Sequence, residues 1–154
     1  MTKNESIVDR KLLSVVLDEL IPPQPEYQLA GAGREEVVQY VDDKLTQAGV
    51  APMISDGLAQ LAANARAQLR KPFAQLEGKE RVALLKAFEQ QQPVFLQMLM
   101  MHTCFGYYQQ TDVLEQLGYD PRPPFPKGYN LDVGDEELFR DLKQRVGGPE
   151  DAQP

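Results

Sequence analysis

The stretch from Pro93 to Gln110, PVFLQMLMMHTCFGYYQQ, constrains this chain more than any other. Its first twelve residues, Pro93 to Cys104, carry only three strongly polar side chains, Gln97, His102 and Thr103, and the apolar positions fall on every side of a helical wheel. A helix that is apolar all round is expected to be buried. It is too short for a bilayer, which needs about 20 apolar residues, so the burial is expected inside protein. Pro93 suits a first helical turn, where its missing N–H has no partner to lose. Gly106 and the phenol rings of Tyr107 and Tyr108 close the stretch, and two such rings side by side look more like a contact surface than plain core.

Helices are expected on either side of this segment. Leu13, Val16, Leu17 and Leu20 recur at helical spacing from about Ser6 to Leu20, with Ser6/Asp9 or Thr2/Glu5 to start the helix and Pro22-Pro23 to end it. A loop, Gln24 to Gly33, leads to a second helix over Arg34–Gln47, striped by Val38, Val41 and Leu45 and stopped by Gly49. A third helix runs from Pro52 to Arg70. There Ile54, Leu58, Leu61, Ala65 and Leu69 repeat at spacings of four and three, alanines between them permit close approach, and Pro72 ends the run. Phe73 and Leu76 read as apolar anchors before a fourth helix, Glu80–Gln90, bearing Val82, Leu84, Leu85 and Phe88. Beyond Tyr108, Thr111 or Asp112 is placed to cap a short helix, Val113–Leu117, closed by Gly118.

Tyr119 to Tyr129 is different in kind. Prolines at 121, 123, 124 and 126 forbid helix there, so an extended arm carrying Tyr119, Phe125 and Tyr129 is expected. A last amphipathic helix, Asp135–Val146, precedes a short tail, 149–154, expected to be disordered. No alternating run bounded by a hairpin turn is present and no repeat. The fold class is all-α: one domain, residues 1–148, of five to six helices around the Pro93 helix.

Composition excludes several kinds of chemistry. The chain has 16 Lys and Arg against 23 Asp and Glu, a formal charge of −7, which disfavours nucleic acid and anionic membranes. Its one cysteine, Cys104, rules out an intrachain disulfide, a four-cysteine metal site and a CxxCH haem attachment. Within a helix His102 and Cys104 point about 200° apart, so they cannot share a metal or act as base and nucleophile. His102 is therefore expected to be a core histidine bonded to a backbone carbonyl or a carboxylate. Glu35/Glu36 and Asp42/Asp43 are expected on solvated helix faces. The run from Gly31 to Glu36 lacks the strand and further glycine of a dinucleotide fingerprint, and no GxxxxGK[ST] occurs. No cofactor, metal or catalytic residue is assigned to this chain.

The aromatic and proline-rich region is the best functional surface. Tyr107, Tyr108, Tyr119, Pro123, Pro124, Phe125 and Tyr129 are the candidate partner-binding residues, because interfaces favour aromatic rings and extended proline segments dock at low entropy cost. The same arm is equally suited to fold back over the chain's own helices.

With these residues in view, the chain resembles the gluconate 2-dehydrogenase subunit 3 family. The likeness rests on Ile21-Pro22-Pro23, the Ala30-Gly31 loop, the helix VVQYVDDKL, Phe73-x-x-Leu76 and Arg81-x-x-Leu84-Leu85. It continues through Phe95, His102-Thr103, Gly106-Tyr107-Tyr108, Leu117-Gly118-Tyr119 and Pro126-x-Gly128-Tyr129. The resemblance implies a noncatalytic, chaperone-like small subunit that stabilises or matures a large flavoprotein dehydrogenase of the glucose–methanol–choline type. That large partner would hold FAD and oxidise a sugar, sugar acid or polyol, with a cytochrome subunit often taking the electrons. Many members begin with a twin-arginine export signal. This sequence shows no signal peptide and is expected in the cytoplasm as written, or in the periplasm if its partner carries it there. Two other readings compete: a helical adaptor unrelated to redox chemistry, and a small helical enzyme using His102 as general base.

Overall fold

The computed structural model describes residues 9–121. Within them lie six α-helices: α1 (Arg10–Leu20), α2 (Glu35–Gln47), α3 (Ala51–Leu69), α4 (Gly78–Gln91), α5 (Pro93–Tyr108) and α6 (Thr111–Gln116). Single 3-10 turns at Pro25–Tyr27 and Phe73–Gln75 interrupt the connections. Among the described residues there is no strand, only one bridge between Gln24 and Leu29, so the fold is an all-α bundle. The expected helix at 135–146 lies outside the described residues.

Local chemistry sets the ends of these helices. Asp9 starts α1, its side chain accepting from Leu12 N–H at 2.9 Å, so the helix begins later than hydrophobic spacing alone implies. Ile21 is extended, as the residue before Pro22 should be. Gly49 takes φ +72° after α2 while Val50 N–H returns to the Leu45 carbonyl at 3.0 Å, and Gly118 (φ +80°) with Tyr119 N–H to Leu114 O repeats the arrangement after α6. Both are the paired bonds of a Schellman ending, which only a residue free to adopt positive φ forms cheaply. At the start of α4, the Glu80 carboxylate accepts from Glu77 N–H at 2.9 Å, half of a capping box. The short helix α6 has Gln110 as its N-cap without a side-chain bond, so neither Thr111 nor Asp112 caps it.

The core gathers on one face of α5. Phe95, Leu96, Leu99, Thr103, Gly106 and Tyr107 are buried, and α2 makes the most extensive contact with this helix, joined by α1, α3 and α4. Val94, Met100, Met101, Phe105 and Tyr108, on the other face, are exposed. The expectation of a helix buried all round is thus corrected: neighbouring helices cover one side of α5, and its apolar composition continues onto a side they leave open. Val82, expected in the core stripe of α4, is likewise exposed, while Leu84, Leu85 and Phe88 are buried.

Two glycines let the helices close on α5. A Cβ on Gly57 of α3 would enter the Phe95 ring, lying 2.5 Å from Cε2, and one on Gly106 would lie 2.8 Å from Cδ1 of Tyr40 on α2. Phe95 also meets Phe88, whose ring stands edge-on to it at 5.4 Å and 89°. Both rings are buried. Gly57→Ala is therefore expected to destabilise the chain by about 1–3 kcal/mol through overpacking. Thermal unfolding by circular dichroism should show a lower midpoint for Gly57→Ala, although alanine is the better helix former. An unchanged or raised midpoint would mean that α3 and α5 are not packed this closely.

Candidate functional site

The two adjacent tyrosines of α5 have opposite fates. Tyr107 is 3% exposed, and its hydroxyl donates to the Ala30 carbonyl at 2.8 Å. Burial, with lesser contributions from Tyr108 and Asp112, pushes its phenol above the usual tyrosine range, so it remains a donor. Tyr108 is half exposed and stacks edge-on against Tyr107 at 5.2 Å and 84°. Of the residues predicted to meet a partner, Tyr107 is therefore an internal tether, whereas Tyr108 and Tyr119 reach solvent. Pro123, Pro124, Phe125 and Tyr129 lie outside the described residues.

The tether belongs to a wider clamp on the loop before α2. Ser14 Oγ donates to the Gly33 carbonyl at 2.6 Å, Gly33 N–H donates to Asp18 at 2.7 Å, and Ala32 N–H donates to the Ile21 carbonyl at 2.9 Å. A Cβ at Gly33 would fall 2.5 Å from both the Asp18 carboxylate and the Ser14 carbonyl, so glycine lets the chain approach α1 this closely. Farther out, Gln28 adopts positive φ (55°) and Tyr27 projects from the turn. The loop from 30 to 33 is therefore fixed between α1 and α5 and shapes the entry to α2.

The charged residues form separate struts. Arg34, preceding α2, pairs with Asp112 of α6 and with Glu36, binding α6 to the bundle. Its hydrogen bond holds the Asp112 carboxyl below the usual range, while Glu36 is lowered first by its own backbone N–H and then by Arg34. Arg10 donates to Glu35 at 2.9 Å and to Gln39 at 3.0 Å, and lies 3.8 Å from Asp42. Asp42 is buried, which corrects its expected place on a solvated face: it sits on the side of α2 turned towards Arg10 of α1. Arg81 joins Glu19 at 2.6 Å, linking α4 to α1.

His102 sits at the edge of the core. Its Nδ1 is buried without a hydrogen-bond partner, so that atom has neither the carbonyl nor the carboxylate expected for it. Burial, and then the positive charge of Lys44, lower the imidazole pKa. Among the described residues no three His, Cys, Asp or Glu side chains are grouped to hold a metal, and no helix is long and apolar enough to cross a membrane.

The profile of the gluconate 2-dehydrogenase subunit 3 family matches residues 8–123, three quarters of the chain. The chain belongs to the gluconate 2-dehydrogenase subunit 3 family. No curated protein and no solved structure gives a significant match. The family assignment covers α1 to α6 with the clamped loop, and makes this chain by description a subunit of a dehydrogenase complex. The reading of the sequence expected a contact surface at the Tyr107-Tyr108 end of α5 and did not place Val94, Met100, Met101 and Phe105 on it. The signal for these four was the lack of any single polar stripe on the helix, which fits two apolar faces as well as burial.

The His102 environment predicts a pH dependence. A histidine whose folded pKa lies below its unfolded value binds fewer protons when folded, so its contribution is present above about pH 6.5 and is lost as pH falls through the folded pKa. Denaturant unfolding at pH 7.5, 6.5 and 5.5 should show this subunit 3 protein losing more stability on acidification than His102→Gln, which has no group titrating there. Equal losses would mean that burial places no strain on the protonated imidazole.

Proposed function

We propose that this chain is the noncatalytic small subunit of an FAD-dependent dehydrogenase complex that oxidises a sugar, sugar acid or glycoside. In this reading it stabilises or matures the catalytic large subunit, which holds the FAD, and a cytochrome subunit receives the electrons. The observation that carries the reading is the open apolar face of α5 in a chain of the subunit 3 family. Monomeric proteins seldom leave such a contiguous patch to water unless it serves an interaction. The clamp of Ser14, Asp18 and Tyr107 supports the same role, because it ties the 30–33 loop to α1 and α5 and so holds the helix that presents this face.

Expression of the large subunit with and without this chain tests the proposal. Alone, the large subunit is expected to be largely insoluble or lacking flavin. Co-expression should raise soluble, flavin-loaded dehydrogenase several-fold, read by flavin absorbance and turnover with an artificial electron acceptor. A large subunit that folds, loads FAD and turns over equally well by itself would overturn the role.

A further inference from the structure

At about 100° per residue, Val94, Met101, Phe105 and Tyr108 fall within roughly 60° of arc on α5, opposite the arc that faces the core. These four and the neighbouring Met100 are each between 40% and 59% exposed. The helix contains no Asp, Glu, Lys or Arg. Beside the stripe runs a groove lined by Glu89, Pro93, Leu96, Gln97, Met100 and Met101, in which Glu89 is the sole ionisable group. A phosphate backbone or anionic lipid would need cations that this face lacks. Its chemistry fits an uncharged apolar protein surface.

Size decides between the possible protein occupants. Taking about 150–250 Å² for a large side chain fully open to water, the five residues leave roughly 400–600 Å² exposed. Twofold pairing of two copies through this face would hide about twice that, at best the lower edge of the roughly 1,200–2,000 Å² of a specific interface. Such pairing would also bring together two chains of charge −7. A partner of different sequence need not match this face with a copy of itself or carry the same charge, so neither limit follows for it.

We propose that the outward face of α5, centred on Met101 and Phe105, is the surface on which the large subunit docks, by an apolar helix or groove free of charge. This rests on the accessory-subunit reading above. Phe105 and Tyr108 are the rigid anchors, while Met100 and Met101 adapt to the partner's contour. Tyr107 acts as a positioning residue: bonded to Ala30 and stacked edge-on against Tyr108, it fixes the direction of the neighbouring ring.

The test uses the full tagged chain co-expressed with the large subunit, comparing wild type, Phe105→Asp, Met101→Asp and a control, Val82→Asp, at the exposed apolar position on α4. All replaced side chains are substantially exposed, so circular dichroism and thermal midpoint should match wild type. Phe105→Asp and Met101→Asp should retain roughly a tenth or less of the flavoprotein retained by wild type, and Val82→Asp should stay within about twofold. Flavoprotein is counted by flavin absorbance and by the mass of the large subunit. Full retention by both α5 variants would overturn the docking face and leave the accessory role standing. A wild-type chain that retains no flavoprotein would overturn both. A wild-type chain that elutes alone as a dimer, and as a monomer when Phe105 is replaced, would assign the face to a second copy and overturn the proposal.

Discussion

The structure depends on close approach between the inner face of α5 and the helices behind it. Phe95 occupies the space that Gly57 leaves on α3, and Gly106 leaves space for the Tyr40 ring of α2. These contacts bring backbones near enough for Leu99 and Thr103 to be sealed completely from water. Thr103 satisfies its hydroxyl within the helix, donating to the Leu99 carbonyl at 2.6 Å, so the buried seam carries no unpaired hydroxyl. Because α1, α2, α3 and α4 each contact this one helix, a disturbance of its inner face reaches most of the bundle.

That arrangement divides α5 between two tasks. Its inner residues are committed to packing, and its outer residues are held in register by the same backbone without being needed for the core. A surface displayed on a packed helix loses little freedom on binding, because its backbone is already fixed. The loop clamp extends this rigidity to the end of the helix. Ser14 and Asp18 hold Gly33 and Tyr107 holds Ala30, so the turn into α2 and the last turn of α5 are tied together. The Arg34–Asp112 pair then fixes α6 against the start of α2.

The sequence showed clearly those features that depend on a residue's own backbone. Pro22, Gly49, Pro72 and Gly118 mark the ends of helices because proline and glycine alter the allowed dihedral angles wherever they occur. Features that depend on tertiary neighbours stayed hidden. Tyr107 and Tyr108 are the same residue type side by side, and only the 100° between them decides which meets the Ala30 carbonyl and which meets water. Gly57 carries no mark in the sequence that sets it apart within α3, yet it is the position where Phe95 enters. Asp42 adjoins an identical neighbour, Asp43, and is buried because its side of α2 faces Arg10. The open side of α5 was concealed by composition, since an apolar helix has the same sequence whether covered by its own fold or by another chain.

Oxidative footprinting of methionine and phenylalanine side chains, in the free chain and in the complex with the large subunit, tests the two-sided helix most directly. The account predicts that Phe95 is protected in both samples, while Met100, Met101 and Phe105 react in the free chain and become protected in the complex. Equal reactivity of Met101 and Phe105 in the two samples, or ready oxidation of Phe95 in the free chain, would contradict it.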